Sequence, residues 1–161
     1  MSGRYRLVLA KPDFKFSAAH FTLFADGTAE RLHGHNYRVG VELSGAELDG
    51  AGLLADVGQV KAAVRAACAR CDGRLLLPAA SPRLAVRRAG VDWEVTCDGR
   101  AYRLPADEVL LLPLANTSIE LLARLLWDEL APALAGGRVE RLAVEVEETE
   151  GQSCVYEAPL A

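Results

Sequence analysis

Three histidines form the most prominent cluster of residues that could do chemistry in this chain. His20, His33 and His35 are its only histidines, and they fall within sixteen residues. Because side chains alternate faces along a strand, His33 and His35 point the same way, and a loop that folds back can bring His20 beside them. Three imidazole nitrogens with one open position are typical of catalytic zinc. Spacing alone leaves ordinary surface or turn histidines as an equal alternative, because short His-x-His pairs are not specific.

Cysteines offer a second candidate metal or redox site. Cys68 and Cys71 have C-x-x-C spacing, which can bind zinc or cycle as a dithiol. A packing role is favoured instead, because the pair has no second C-x-x-C partner and fits the apolar face of a helical pattern. Cys97 and Cys154 fall in strand-like segments and are also predicted to be core residues.

The composition limits the partners and the compartment. With 22 acidic against 18 basic residues, the net charge of -4 offers no broad basic field to a nucleic-acid backbone. Apolar runs such as 109–114 are far shorter than the roughly 20 residues of a membrane-spanning helix, and Met1–Lys11 lacks a signal-peptide core. We therefore expect one soluble, cytoplasmic domain over residues 1–161, with reduced thiols and with neither nucleic acid nor membrane as a partner.

Hydrophobic periodicity predicts the strands that must position the histidines. Five segments have strand period: 5–9, 14–16, 36–43, 139–147 and 153–157. Residues 21–32 are predicted to be a loop, and Glu150-Gly151 to be the turn of a closing hairpin. Three further short segments alternate around Asp98-Gly99, which indicates an inserted β-hairpin: 84–88, 93–97 and 101–104.

Two helices are predicted between these strands. Val57–Cys71 carries apolar residues at helical spacing. The second helix is expected to begin at an Asn116 or Thr117 cap, with Glu120 completing a capping box three residues after Thr117. Pro132 and Gly136-Gly137 are expected to end it. The predicted order is two strands, a helix, the inserted hairpin, a helix and two strands.

In two segments, Phe16–His20 (FSAAH) and Leu32–Tyr37 (LHGHNY), the chain resembles the zinc-binding segments of the 6-pyruvoyl-tetrahydropterin synthase and 6-carboxytetrahydropterin synthase family. Four later features occur in that family's order: Asp56, Cys71-Asp72, residues 116–120 (NTSIE) and Glu148-Thr149. The resemblance implies an α+β tunnelling fold, an antiparallel ββααββ sheet with two helices. It also implies zinc held by the three histidines, and homo-oligomeric barrels, commonly hexamers, with pterin sites between subunits. Such assembly would cover exposed strand edges.

One departure from the family concerns the proton acceptor. A catalytic cysteine usually stands four residues before the His-Gly-His segment, where this chain has Ala29. Glu30 instead makes Glu30–His35 (ERLHGH) resemble the Glu-x-x-His-Gly-His variant of the family's third type, although a loop glutamate is ordinarily a solvated charge. That resemblance implies cleavage of 7,8-dihydroneopterin, or its triphosphate, to 6-hydroxymethyl-7,8-dihydropterin, a folate precursor. A glutamate beside zinc can take the proton of a polarised hydroxyl and so drive a retro-aldol break.

A second departure is Gly73, where the family usually has the histidine of an Asp-His proton relay. Asp72, implied to be catalytic, either orients another group or caps the helix end, or else turnover is impaired. Glu148 matches the glutamate that anchors the pterin ring, since a carboxylate suits the fork of the 2-amino group and ring N–H. The resemblance places Thr117, Ser118 and Glu120 at the pterin edge as well, although they also suit a helix start.

These features leave three functions open. The first is zinc-dependent side-chain cleavage by a lyase, favoured by Glu30 beside Ala29. The second is 6-pyruvoyl- or 6-carboxytetrahydropterin synthase activity on dihydroneopterin triphosphate. The third is a non-catalytic relative that binds a pterin or a metal, which Gly73 leaves possible.

Overall fold

The structure, a computed structural model, describes residues 3–160, so the first two residues and the last residue of the predicted domain lie outside it. Within that range the helices are α1 (Val57–Cys71) and α2 (Ile119–Leu134). The strands are β1 (Tyr5–Leu9), β2 (Lys15–His20), β3 (His33–Gly45), β4 (Arg74–Pro78), β5 (Ala85–Ala89), β6 (Asp92–Cys97), β7 (Arg100–Pro105), β8 (Val109–Leu112), β9 (Arg141–Thr149) and β10 (Gln152–Pro159).

β3 is the central strand of the main sheet. Along one edge it pairs antiparallel with β2 and then with β1, and along the other with β9, which pairs with β10. β4 extends the sheet on the far side of β2 and carries β8, both in parallel pairs. The sheet order is therefore β10-β9-β3-β2-β4-β8, with β1 beside the second half of β3.

Both helices pack on one face of this sheet, where α1 contacts β2 and α2 contacts β9 and β10. The Asp56 side chain caps α1 by accepting the backbone N–H groups of Gly58 and Gln59. The layer between helices and sheet is the main hydrophobic core, with Phe16, Tyr37 and Leu126 almost wholly buried. The two predicted helices and the α+β class are confirmed. No helix within residues 3–160 is long and apolar enough to cross a membrane.

The middle of the chain has more structure than the sequence indicated. Residues 85–105 form a three-stranded antiparallel meander, β5-β6-β7, so the inserted element is one strand larger than a hairpin. β4 and β8 were not predicted. Each contains a short apolar run (Leu75–Leu77 and Leu110–Leu112) and lies in a parallel pair, where the polar–apolar alternation that identifies a strand is lost.

The start of α2 differs from expectation, and of its two predicted end signals Gly136, directly after the Ala135 C-cap, is confirmed and Pro132 is not. Its N-cap is Ser118, whose hydroxyl accepts the Leu121 N–H, rather than Asn116 or Thr117. Glu120 is thus the second helical residue, one position too early for a capping box. Pro132 lies inside the helix, which continues to Leu134. A proline this close to the end removes one backbone hydrogen bond without ending the helix.

A second hydrophobic cluster lies apart from the main core and joins the meander to the loop 21–32. Its buried members are Phe21, Leu23, Ala29, Leu77, Val95, Cys97 and Val109. Phe21 also stacks on Tyr102 of β7, with ring centroids 5.9 Å apart. The loop between β2 and β3 therefore packs against hydrophobic side chains of the inserted strands.

Gly45, the last residue of β3, is packed too closely for a side chain. An added Cβ would lie 2.9 Å from Leu54 Cδ1 and well inside contact distance of the Arg138 carbonyl oxygen. We expect Gly45→Ala to lower the free energy of unfolding by about 1–3 kcal/mol, because a backbone atom cannot move aside cheaply. Gly50→Ala is the matched control, since its Cβ would meet nothing within 4 Å. Urea unfolding compares the two variants, and equal stabilities would contradict the expectation.

Candidate metal centre

Antiparallel pairing of β2 with β3 assembles the three histidines. His20 lies opposite His33, and Ala18 lies opposite His35, so the three imidazoles leave the same face of the sheet. Their ring centroids are 4.7 to 5.3 Å apart, and one ligand nitrogen from each lies within 4.8 Å of the others. The structure thus brings together the three residues that the sequence singled out.

Two backbone carbonyl groups orient these rings. His20 Nδ1 lies 3.0 Å from the Thr117 carbonyl oxygen, and His33 Nδ1 lies 2.6 Å from that of Arg31. A carbonyl oxygen only accepts hydrogen bonds, so each Nδ1 must carry the proton. When these two imidazoles are neutral, their Nε2 lone pairs are free, the arrangement that metal-ligating histidines commonly have.

The polar groups around the triad fit a divalent cation. His20 Nε2 is buried and has no hydrogen-bond partner among the described residues. Glu148 Oε1 lies 3.2 Å from it, outside hydrogen-bond geometry, and 3.6 Å from His35 Nε2. Burial lowers the pKa of His20, which favours the neutral, ligating imidazole. Nitrogen lone pairs facing a carboxylate oxygen repel it, and a cation held by the three imidazoles would relieve that repulsion; three imidazole nitrogens are a ligand set that zinc accepts.

Glu30 stands beside the triad on the loop between β2 and β3. Its Oε2 accepts the Thr22 N–H at 2.9 Å and lies 4.0 Å from His33 Nε2. Burial by itself would raise the pKa of Glu30, but the Thr22 hydrogen bonds and the nearby His33 and His20 outweigh it and leave the pKa below its usual value. The carboxylate is therefore ionised near neutral pH and can accept a proton.

Glu148 lies at the triad itself. Tyr37 Oη donates to its Oε1 at 3.2 Å, and Gln152 Nε2 donates to its Oε2 at 3.1 Å. Burial, followed by the Glu148 charge, raises the pKa of Tyr37, which stays a neutral donor. Neither Tyr37 nor Gln152 was predicted to be a site residue. Tyr37 lies on the same face of β3 as His33 and His35, two residues beyond His35, and this spacing could have identified it. No sequence pattern indicated Gln152.

The segment before α2 forms hydrogen bonds with His20 and with the start of the loop between β2 and β3. Thr117 is wholly buried, and its hydroxyl donates to the Phe21 carbonyl oxygen at 2.9 Å while its own carbonyl orients His20. Asn116, which was not predicted to be a site residue, bonds both the N–H and the carbonyl of Leu23. Ser118 caps α2 and Glu120 is exposed; across residues 3–160, no hydrogen bond or ion pair links either to the histidines.

Asp72 lies at the end of α1 and supports β2. Its Oδ1 accepts the Ser17 N–H at 2.8 Å, and the Gly73 N–H donates to the Ser17 carbonyl oxygen at 2.8 Å. Gly73 has a φ of +69°, a left-handed conformation that favours glycine. In the described part of the chain, Asp72 makes no hydrogen bond or ion pair with the histidines, so its contacts are those of a helix-end residue.

Three of the four cysteines pack in hydrophobic surroundings, whereas Cys154, predicted to be a core residue, is only partly buried on β10. Cys68 and Cys71 lie in the main core, and burial raises the pKa of Cys68 to about 12 and that of Cys71 to about 11. Cys97 lies in the second cluster, where burial also raises its pKa. The triad is the one group of potential metal ligands found among residues 3–160, and it includes no thiol. The C-x-x-C pair therefore has a packing role.

Comparison with solved structures defines the class of protein. A 6-pyruvoyl tetrahydropterin synthase from Plasmodium vivax matches with a TM-score of 0.88 at 29% identity, over 98% of this chain and 99% of that chain. The fold is thus the predicted α+β tunnelling fold of these pterin enzymes. Residues 10–159 match the family model described as 6-pyruvoyl tetrahydropterin synthase, and the chain belongs to that family.

Other relatives add chemical detail. A putative 6-carboxy-5,6,7,8-tetrahydropterin synthase from Methanocaldococcus jannaschii is 28% identical over 145 residues, 88% of each chain. Two further solved Plasmodium vivax chains, 28% and 29% identical with TM-scores of 0.88 and 0.87, cover 98% of this chain and 99% of theirs. They carry alanine or cysteine in place of a glutamate described as a catalytic residue. Family membership supports a pterin synthase-like function acting on a small pterin.

We predict that the triad binds about one zinc ion per chain. A chain in which His33 and His35 are both replaced by alanine should retain almost none, because two of three ligands are gone. A chain with Cys68→Ala and Cys71→Ala is the control and should keep its zinc, since neither thiol belongs to the group. Metal analysis after dialysis measures both. Zinc retained by the histidine variant, or lost by the cysteine variant, would place the metal elsewhere.

Proposed function

We propose that this chain is a zinc-dependent lyase that cleaves the side chain of 7,8-dihydroneopterin, or its triphosphate, to give 6-hydroxymethyl-7,8-dihydropterin for folate synthesis. The observation that carries the proposal is the Glu30 carboxylate, 4.0 Å from His33 Nε2, with Ala29 at the family's usual cysteine position. A carboxylate at this place suits deprotonation of a substrate hydroxyl. The catalytic glutamate described for the Plasmodium vivax enzyme supports the same role.

In this proposal His20, His33 and His35 hold the zinc, with their rings fixed by the sheet and by the carbonyl groups of Thr117 and Arg31. Zinc, when bound, supplies polarisation of a substrate oxygen. Glu30 accepts the proton of a hydroxyl group on the substrate's side chain. The electron pair of that oxygen forms a carbonyl as the adjacent carbon–carbon bond breaks, and the outer part of the side chain leaves as an aldehyde. The electrons of that bond pass into the pterin, which takes up a proton. The Glu30 side chain is 35% exposed, so it can return its proton to solvent.

Glu148 is proposed as the pterin anchor, and Ser118 and Glu120 as further substrate contacts at the start of α2. Thr117 is better assigned to holding His20, because its hydroxyl is already bonded to Phe21 and has no exposed surface. For Asp72 the contacts with Ser17 support a helix-end role rather than catalysis. A single cytoplasmic domain that assembles into a homo-oligomer, with a hexamer favoured, remains part of the proposal.

Synthase activity on dihydroneopterin triphosphate is the second candidate. The observation in its favour is the name of the Methanocaldococcus jannaschii relative, a putative 6-carboxy-5,6,7,8-tetrahydropterin synthase. A thiol base is disfavoured, because Cys68, Cys71 and Cys97 are buried and the pKa of each thiol is raised. Incubation of zinc-loaded protein with dihydroneopterin and with its triphosphate, with product masses recorded, separates the two candidates. A 6-pyruvoyl or 6-carboxy product would replace the cleavage proposal with the synthase.

Glu30→Gln tests the proton acceptor. The amide keeps the shape of the side chain but cannot take a proton, so turnover should fall by roughly a hundredfold or more while zinc content stays the same. The comparison is a chain in which all four cysteines are replaced by alanine or serine, which should keep most of its rate if it folds. A near-normal rate for Glu30→Gln, beside a folded but inactive cysteine-free chain, would assign the base to a thiol.

Glu148→Gln tests the anchor. A pterin anchor needs two negative oxygen acceptors for a fork of donors, so the variant should raise KM by about tenfold or more with zinc content unchanged. Glu150→Gln, at the turn of the same hairpin, is the matched control and should behave as wild type. Titration of substrate and zinc analysis measure both effects. Loss of zinc from Glu148→Gln would make Glu148 a metal ligand instead of an anchor.

A further inference from the structure

The tip of the β6–β7 hairpin reaches the loop that carries Glu30. Cys97 pairs with Arg100, so the turn has two residues, Asp98 and Gly99, with φ values of 50° and 69°. Two left-handed residues in a two-residue hairpin are typical of a type I′ turn, which Asp-Gly sequences favour. This tight turn fixes the positions of Asp98 and Arg100 relative to each other, and an ion pair of 3.7 Å joins them.

Asp98 and Arg100 bond the backbone of the loop at the residue before the acceptor and at the acceptor itself. Asp98 Oδ2 accepts the Ala29 N–H at 3.1 Å. Arg100 Nη1 donates to the Ala29 carbonyl oxygen at 3.2 Å and to the Glu30 carbonyl oxygen at 2.7 Å. Hydrogen bonds from ionised groups are among the stronger ones in proteins. Three of them act on two consecutive residues of an otherwise irregular segment.

The metal ligands and the proton acceptor are held by different parts of the fold. The histidines belong to β2 and β3, whose ladder places His20 opposite His33 without help from the meander. Glu30 lies outside that ladder. Its N–H and its carboxylate both bond Thr22, two residues beyond His20, and the rest of its loop has an isolated bridge, Leu23 with Ala29, and packs on the second hydrophobic cluster. The position of the carboxylate relative to the imidazoles therefore depends on what holds the loop.

We propose that Asp98 and Arg100 are positioning residues that fix the backbone of Ala29 and Glu30, and thereby hold the Glu30 carboxylate where it can accept the substrate proton. The inference rests on the proposed function of Glu30. It gives the inserted meander a role in catalysis, because Arg100 at the hairpin tip forms a hydrogen bond with the backbone of Glu30. Arg83, which precedes β5, supports the far side of the same loop by donating to the Thr28 carbonyl oxygen at 2.9 Å.

The test combines Arg100→Ala and Arg100→Lys with Glu30→Gln in a double-mutant cycle. Arg100→Ala should lower kcat about tenfold or more, since small misplacements of a catalytic group have effects of that order. KM and zinc content should stay within about twofold of wild type, because the anchor lies on another hairpin and the β2–β3 ladder holds the histidines, with only the Arg31 carbonyl at His33 next to the altered segment. In the Glu30→Gln background Arg100→Ala should cost nothing further, as expected for residues that act as a unit. Arg100→Lys keeps the charge but loses the fork, so its kcat should be intermediate.

Hydrogen exchange supplies a readout that does not depend on turnover. In Arg100→Ala the peptide over residues 21–32 should exchange about tenfold faster, while peptides of β2 and β3 stay unchanged. Arg103→Ala is the matched control, because Arg103 lies on the same strand but pairs with Asp92. It should leave both kcat and exchange unchanged. Thermal melts identify any variant that fails to fold, and Arg100→Lys then carries the test.

Three results would overturn the proposal: unchanged exchange of the loop, loss of zinc in Arg100→Ala, or effects of Arg100→Ala and Glu30→Gln that multiply. If Glu30→Gln alone is slow, Glu30 is the acceptor. Any of these three results then rejects only the positioning role of Asp98 and Arg100. A Glu30→Gln chain of normal rate would reject the proposed acceptor, and with it the positioning role.

Discussion

The register between β2 and β3 is the constraint on which the site depends. His20 faces His33 across the ladder and Ala18 faces His35, so a slip of one residue would turn the His20 ring away from the other two. The same register stacks Phe16 on Tyr37, two pairs beyond Ala18 and His35, with ring centroids 4.8 Å apart. Burial of that aromatic pair in the main core opposes a slip. Core packing thereby sets the geometry of the candidate metal centre.

Around this register the fold supplies two different kinds of support. The sheet and the Thr117 carbonyl hold the ligands, since the His20 ring is buried and its Nδ1 is bonded. The carboxylates come from elsewhere: Glu148 from the β9–β10 hairpin, with Tyr37 and Gln152 donating to it, and Glu30 from a loop. The two sets of contacts meet at Arg31, whose carbonyl orients His33, and at Thr22, which bonds Glu30 just beyond β2. Substitutions away from these two residues should alter metal binding or proton transfer separately.

Local sequence patterns predicted the elements whose periodicity is regular. Val57–Cys71 is helical over the predicted residues, and the closing hairpin turns at Glu150-Gly151 as expected. Histidine spacing and the family motif likewise identified the triad. The patterns failed at β4 and β8, because their short apolar runs do not alternate. They also failed at the start of α2, where three consecutive polar residues, Asn116, Thr117 and Ser118, offered more than one possible cap. Tertiary contacts decided both cases. The contacts of Asp98 and Arg100 with the loop were unpredictable, since they join residues about 70 positions apart.

The structure also gives a physical reason for a carboxylate at position 30 and not a thiol at position 29. The Ala29 side chain is buried in the second cluster with Phe21, Val95 and Cys97, whereas the next side chain, Glu30, points to His33. A thiol in the Ala29 environment would be surrounded by apolar groups, which raise a thiol's pKa, as burial does for Cys97. Glu30, bonded by Thr22 and lying near two imidazoles, has its pKa shifted in the opposite direction. Of these two neighbouring residues, Ala29 therefore packs in the second cluster, whereas Glu30 can accept a proton.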